Sequence, residues 1–122
     1  MDIELNDYQE RAMSTCMSSC RNMAYMLTGL NAEVGELNDK IAKAVRRGDI
    51  SLHRNQLALF GEHEDMEALK DALLLELGDV LWFVSGIADV MGWQLRDVAA
   101  ANISKLADRA RRNVIDGNGD NR

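Results

Sequence analysis

Proline occurs nowhere in the 122 residues of the chain. Proline interrupts helices because it lacks an amide proton and clashes with the preceding turn. Apolar side chains recur at steps of three and four residues over most of the sequence, which is the spacing of one helix face. Aromatic residues make up only 5% of the chain and methionines number seven, which also favours a helical core over a sheet. The sequence therefore predicts an all-α fold.

Four helices are predicted, and they cover residues 7–27, 31–47, 66–91 and 95–112. Residues of the Asx type stand at several of the expected starts, and glycines stand at the expected ends. Gly29 is the predicted end of the first helix and Gly92 that of the third. We expect one four-helix bundle domain over residues 1–122, in which residues 113–122 form a C-terminal extension.

The charge of the chain limits its partners. The net charge is −6 and the isoelectric point about 4.8, which argues against binding to nucleic acid or to an anionic membrane. No apolar run reaches the length of a membrane span. The acidic start, Met1-Asp2-Ile3-Glu4, lacks the basic and apolar regions of a signal peptide. We therefore expect a cytoplasmic protein with neither a nucleic-acid nor a membrane partner.

Two short stretches of the sequence share one arrangement of acids. Glu33 and Glu36 form one pair, Glu76 and Asp79 form the other, and each pair encloses a glycine. Residues three apart lie on one helix face, so each pair presents two carboxylates together. Four carboxylates in one place repel one another unless some are protonated or a hard divalent cation binds, normally Mg²⁺ or Mn²⁺. We hypothesise that two helices cross at the glycines and that their acids hold metal; the alternative is solvated acids on unrelated helix faces.

A polar strip lies on the last predicted helix. Asn102, Lys105 and Arg109 follow one another at i, i+3 and i+7, so one face presents an amide and two cations. Lysine can bind phosphate oxygens as a point charge and arginine as a fork. The alternative is a solvated basic face, which the spacing alone favours. Lys40, four residues after Glu36, is interpreted as an ion-pair partner on the solvated face of its own helix.

Other polar and aromatic positions keep two interpretations. Residues 49–64 are the least regular part of the chain, where we expect a short helical turn and the residues that choose base and sugar. His53 and His63 could bind substrate there or be ordinary loop residues. Trp82 could stack on a base, although a core or interface position is favoured, and the amide of Gln9 could face solvent or a site.

With these residues in place, the chain resembles the MazG-like, all-α nucleoside triphosphate pyrophosphohydrolases. Five stretches that span most of the chain carry the resemblance: Tyr8-Gln9, Gly29-Leu30, and residues 32–37, 76–82 and 102–106. Its most specific part is the order E-x-x-E, spacer, E-x-x-D. One position departs from the family pattern, because Ala32 stands where many members have a further glutamate, which leaves one acid fewer.

The resemblance implies both an assembly and an activity. Members are helical bundles that form dimers or dimers of dimers, so a homodimer or homotetramer is expected. They cleave a nucleoside triphosphate between the α and β phosphates, releasing a monophosphate and pyrophosphate. The acids that match the family's Mg²⁺-binding and catalytic positions, with Mn²⁺ as a possible substitute, are Glu33, Glu36, Glu76 and Asp79. The residues that match its nucleotide-binding positions are Asn102, Lys105 and Arg109.

Direct attack of water is the chemistry that the remaining sequence favours. No serine or cysteine nucleophile with a nearby histidine is evident, nor is a glycine-rich phosphate loop followed by lysine. Metal ions can offset the phosphate charge and acidify the attacking water, and a glutamate can take its proton. Two alternatives stay open: a non-catalytic regulatory protein that binds nucleotides or a partner helix, and a structural helical dimer without a ligand.

Overall fold

The computed structural model describes residues 1–48, 50–53, 56–59 and 63–116. The helices are α1 (Leu5–Ser14), a short 3-10 helix (Ser18–Cys20), α2 (Met23–Arg47), α3 (His63–Val90) and α4 (Leu95–Arg111). Two strands, β1 (Ile50–His53) and β2 (Gln56–Leu59), form a small antiparallel sheet between α2 and α3. The predicted helical class is confirmed, with four α-helices in the described part of the chain.

The first predicted helix, residues 7–27, is wrong in extent. Helix α1 ends at Ser14, and α2 does not begin until Met23. Hydroxyl groups compete for the carbonyls at this break: Thr15 Oγ1 donates a hydrogen bond to the Ala12 carbonyl at 2.6 Å, and Ser14 Oγ makes the same kind of bond one residue earlier. Such local bonds offer the backbone an alternative to the helix.

Helix α2 is longer than predicted and starts earlier. Asn22 caps its first turn by accepting a hydrogen bond from the Tyr25 N–H at 2.9 Å. The helix then continues through Gly29 and Asn31, which were predicted to end one helix and to start the next. It ends at Gly48, whose φ of 81° is in the left-handed region that favours glycine.

Close packing of α2 against α3 explains why Gly29 lies inside a helix. The Phe83 ring occupies the space that a Cβ on Gly29 would need, and the Met26 side chain does the same at Gly86. Residue numbers fall along α3 as they rise along α2, so the two helices are antiparallel. Met26 is fully buried and Phe83 is 8% exposed, so this contact is the centre of the core.

Helix α1 joins α3 to α4 through buried hydrogen bonds. Gln9 Nε2 donates to the Trp93 carbonyl at 3.0 Å, and Gln9 Oε1 accepts from the Leu95 N–H at 2.8 Å. The Gln9 amide therefore does not face bulk solvent, because it holds the turn before α4. Trp82 packs against the core and donates from Nε1 to the Ala12 carbonyl at 3.0 Å, so its favoured interpretation as a core residue is confirmed.

The helical turn expected within residues 49–64 is wrong, because this segment contains the two strands. Ile50 pairs with Leu59, and Leu52 pairs with Leu57. Large apolar residues alternate with small or polar residues along each strand, and this period of two is typical of a strand. Residues 50–53 and 56–59 of this segment are therefore extended, and residues 63–64 already belong to α3.

Some of the remaining predictions concern residues that the structure describes, and others concern residues outside the described ranges. The third and fourth helices agree with their predicted ranges to within three residues at each end. The side chains of His53 and His63 lie outside the described part of the structure, as do residues 117–122 of the predicted C-terminal extension. Among the described residues, no helix combines the length and the apolar character that a membrane span requires.

Candidate active site

Three of the four predicted acids come together between α2 and α3. One carboxylate oxygen each from Glu33, Glu36 and Glu76 lies within 4.8 Å of the others. The register that pairs Gly29 with Phe83, continued two turns along α2, brings Glu36 opposite Glu76. The core contact therefore sets the positions of the acids.

Asp79 lies beside this group without belonging to it. Among the described residues, the cluster of oxygens within 4.8 Å consists of the three glutamates. The charge of Asp79 nevertheless acts on Glu33, whose carboxyl pKa it helps to raise. It also acts on Tyr8 of α1: burial raises the pKa of that hydroxyl, and Asp79 adds to the effect. Asp79 is therefore near enough for its charge to act on both Glu33 and Tyr8.

The acids repel one another in the protein without metal. Burial is the largest cause that raises the pKa of the Glu33 carboxyl, followed by the charges of Glu36, Asp79 and Glu76. Both effects disfavour the ionised form of Glu33. A cation placed among these oxygens would relieve the repulsion.

Lys40 already supplies one positive charge to the cluster. Its Nζ lies 2.8 Å from Glu76 Oε1, and the exposed fractions of the two side chains are 34% and 13%. The hydrogen bond to Glu76 is the largest cause that raises the pKa of Lys40. Lys40 is an ion-pair partner, as interpreted, but it pairs with Glu76 of α3 at a half-buried position and not on a solvated face. Sequence spacing within α2 carried no signal for this contact.

The donor set fits a hard divalent cation. Carboxylate oxygens are the ligands that Mg²⁺ and Mn²⁺ prefer. Two oxygens on opposite sides of one Mg²⁺ are about 4.2 Å apart, close to the spread of the three glutamate oxygens. A Cβ on Gly35 or Gly78 would meet nothing within 4 Å, so no other helix approaches closely at either glycine. The hypothesis that the helices cross at these two glycines is therefore wrong within one chain.

The comparison with known families agrees with this geometry. The model of the MazG nucleotide pyrophosphohydrolase domain matches residues 21–114, which include α2, α3, α4 and both acid pairs. The chain belongs to this family. The MazG-like resemblance seen in the sequence is confirmed, and the family is one of hydrolases that act on nucleotides.

One relative is a viral protein. The chain is 34% identical to the Gene 37 protein of Mycobacterium phage L5 over 104 residues, which cover 85% of this chain and 80% of the relative. The name of that protein states no activity. No solved structure matches the chain significantly.

The second predicted part of the MazG site lies on another helix. Asn102 and Lys105 are exposed on α4, whereas Arg109 is only 6% exposed. Helix α4 packs chiefly on α1 and α3. Asn102 and Lys105 therefore lie at the surface, and the enclosed Arg109 is the weakest member of the strip.

Apolar side chains are exposed on both α3 and α4 of this MazG domain. The exposed fractions of Leu74, Leu77 and Leu81 are 68%, 55% and 39%, and these side chains line one groove. On α4, Ile103 and Leu106 are 67% and 47% exposed, although their spacing predicts a buried stripe. The apolar pattern of both helices thus exceeds what one chain buries.

Proposed function

We propose that the chain is a Mg²⁺-dependent nucleoside triphosphate pyrophosphohydrolase. It cleaves ribo- or deoxyribonucleoside triphosphates between the α and β phosphates and releases a monophosphate and pyrophosphate. The observation that supports this proposal best is the meeting of Glu33, Glu36 and Glu76 from two helices within 4.8 Å. Membership in the MazG family supplies the reaction class.

In this proposal the four acids share the work of binding and proton transfer. Glu33, Glu36, Glu76 and Asp79 hold Mg²⁺, for which Mn²⁺ can substitute. When bound, the ion offsets the charge of the phosphates and lowers the pKa of water. A carboxylate of the cluster accepts the proton of the attacking water. Ala32 supplies no ligand, so the chain has one acid fewer than many family members.

We also propose that the α4 strip contacts the nucleotide. The exposed Lys105 ammonium and Asn102 amide can bind phosphate oxygens, with Arg109 as a weaker contributor. Lys105→Ala is expected to raise KM about tenfold or more, the size of a lost charged hydrogen bond to substrate. An unchanged KM for every nucleotide cleaved would remove Lys105 from the proposed site.

Product analysis tests the reaction. The purified chain is incubated with each nucleoside triphosphate and Mg²⁺ in water enriched in ¹⁸O. Attack at the α phosphorus places the label in the monophosphate and leaves pyrophosphate unlabelled. Glu36→Gln combined with Asp79→Asn is expected to abolish turnover, whereas Glu10→Gln, an exposed acid on α1, serves as the matched control. Orthophosphate as the primary product would contradict the proposal.

Binding measurements separate the enzyme from the regulatory alternative. Saturable nucleotide binding without turnover under Mg²⁺ or Mn²⁺ would favour a non-catalytic nucleotide-binding protein. Metal-dependent thermal stabilisation is expected under either function, because a ligand that binds only the folded state raises stability. Its absence would favour a structural helical dimer.

We further propose that the exposed apolar side chains of α3 and α4 are covered by a second copy of the chain. Leu74, Leu77 and Leu81 line one groove while 39% to 68% exposed, and Ile103 and Leu106 of α4 are 67% and 47% exposed. Contiguous exposed apolar side chains mark protein–protein contacts.

Sedimentation of the wild type and of Leu77→Lys tests the second copy. Leu77 is 55% exposed, so the lysine is tolerated by the single chain but not in a covered interface. We expect a dimer or tetramer that Leu77→Lys dissociates into helical monomers. A monomeric wild type at micromolar concentration would overturn the proposal.

A further inference from the structure

Lys40 is placed differently from the other lysine near the acids. Its Nζ crosses from α2 to α3 and lies 2.8 Å from Glu76 Oε1. Lys43, one turn further along α2, instead pairs with Asp39 of the same helix, and its side chain is 47% exposed. The two lysines carry the same charge on the same helix, but only Lys40 contacts a member of the acidic cluster.

The contact of the Lys40 ammonium with Glu76 affects how readily the acidic cluster binds a metal ion. Glu76 is one of the three acids whose oxygens lie within 4.8 Å of one another, and its side chain is only 13% exposed. An ammonium in contact with Glu76 Oε1 offsets part of the repulsion that a metal ion would offset. A divalent ion at the same oxygens would stand within a few ångströms of this ammonium, and like charges at that distance repel. The two cations therefore compete for one place.

We propose that Lys40 is an internal counter-cation of the metal site, which holds Glu76 in the metal-free protein and leaves it when a divalent ion binds. Lysine suits this exchange, because it is a point charge on a flexible stem and can withdraw without moving the helix. Lys40 is thus a positioning residue that sets the metal concentration needed to fill the site. The inference rests on the proposed function, since it requires the acidic cluster to bind metal.

Calorimetric titration with Mn²⁺ and with Mg²⁺, in the absence of nucleotide, measures the competition. Lys40→Met is expected to bind each ion about threefold to fivefold more tightly than the wild type, which is the size expected for loss of a partly exposed ion pair. Lys43→Met removes the same charge one turn away and is the matched control, with affinity expected near that of the wild type. Equal or weaker binding by Lys40→Met would overturn the proposal.

A second measurement uses the wild type, so it does not depend on the folding of a variant. Amine acetylation is followed at each lysine by mass spectrometry, with and without saturating Mg²⁺ at constant ionic strength. The acetylation rate of Lys40 is expected to rise at least about twofold when Mg²⁺ releases it from Glu76, while that of Lys43 stays constant. An unchanged rate at Lys40 under saturating metal would refute the exchange.

The two measurements also distinguish this inference from the proposed function. A wild type that binds neither ion and turns over no nucleotide would overturn the proposed function. A wild type that binds metal, with Lys40 acetylation and Lys40→Met affinity both unchanged, would overturn only the role of Lys40.

Discussion

Replacement of Glu33 by glutamine should stabilise the metal-free protein while removing a metal ligand. Burial and the neighbouring acids raise the pKa of Glu33 above its ordinary 4.5, so the folded state holds this proton more tightly than the unfolded state. Through linkage, the contribution of Glu33 to stability falls as pH rises from about 4.5 through the folded pKa. Glu33→Gln removes that loss, so its advantage should be largest at neutral pH and vanish toward pH 4.

The magnitude follows from the distances within the cluster. Two unit charges 4.8 Å apart, screened as in water because the site is half-exposed, repel by about 0.9 kcal/mol. Glu36 and Glu76 lie within this distance of Glu33, and Asp79 adds to the repulsion, but the ammonium of Lys40 offsets the charge of Glu76. The net gain from Glu33→Gln is therefore about 1 kcal/mol, or about 3–5 °C in Tm for a chain of this length.

Thermal unfolding with a chelator and low salt provides the assay, since salt screens the repulsion. The Tm of the wild type, Glu33→Gln and Glu10→Gln is measured at several pH values between 4 and 8. Glu10 is an exposed acid on α1, so its replacement controls for loss of charge alone. Addition of Mg²⁺ should then stabilise the wild type and Glu10→Gln more than Glu33→Gln. A Glu33→Gln variant that is less stable than the wild type at pH 7.5 would refute the reasoning.

Three further predictions concern the framework that positions the acids. Gln9→Leu leaves the buried Leu95 N–H and the part-buried Trp93 carbonyl without their partner and should cost about 1–3 kcal/mol in urea unfolding; a loss equal to that of an exposed helix position would contradict this. Gly29→Ala must displace the Phe83 ring and should cost about 1–3 kcal/mol, whereas Gly35→Ala, in open space, should raise stability by up to about 1 kcal/mol; equal Tm values would be inconsistent with the packing. Asn22→Ala should cost about 1 kcal/mol of unfolding free energy, because it removes the α2 cap. An unchanged unfolding curve would show that the cap does not stabilise the protein.

The helices that the sequence predicted well are those whose ends depend on local chemistry. Gly92, with a φ of 71°, ends the turn after α3 where a left-handed residue is needed. Gly29 was misread as such an end because its role is tertiary: it makes room for Phe83. The break near Thr15 contains neither glycine nor proline, and its signal was a run of hydroxyl side chains that bond to the backbone.

The candidate site was predictable in its residue types but not in its contacts. Helical spacing sufficed to place Glu33 and Glu36 on one face, whichever helix they faced. The contact of Lys40 with Glu76 depends on the register between two helices, which no spacing within one helix determines. The sheet between α2 and α3 was missed, although its strands alternate with a period of two.

The position of that sheet separates sequence changes in the connection between α2 and α3 from changes at the acidic cluster. It connects the end of α2 to the start of α3, whereas the contact of Gly29 with Phe83 lies toward the opposite end of the same helix pair, and the glutamates lie between. Insertions, deletions or substitutions in the connection therefore leave the relative positions of the carboxylates unchanged. Related chains can diversify at this tip during evolution while inheriting an unaltered acidic centre.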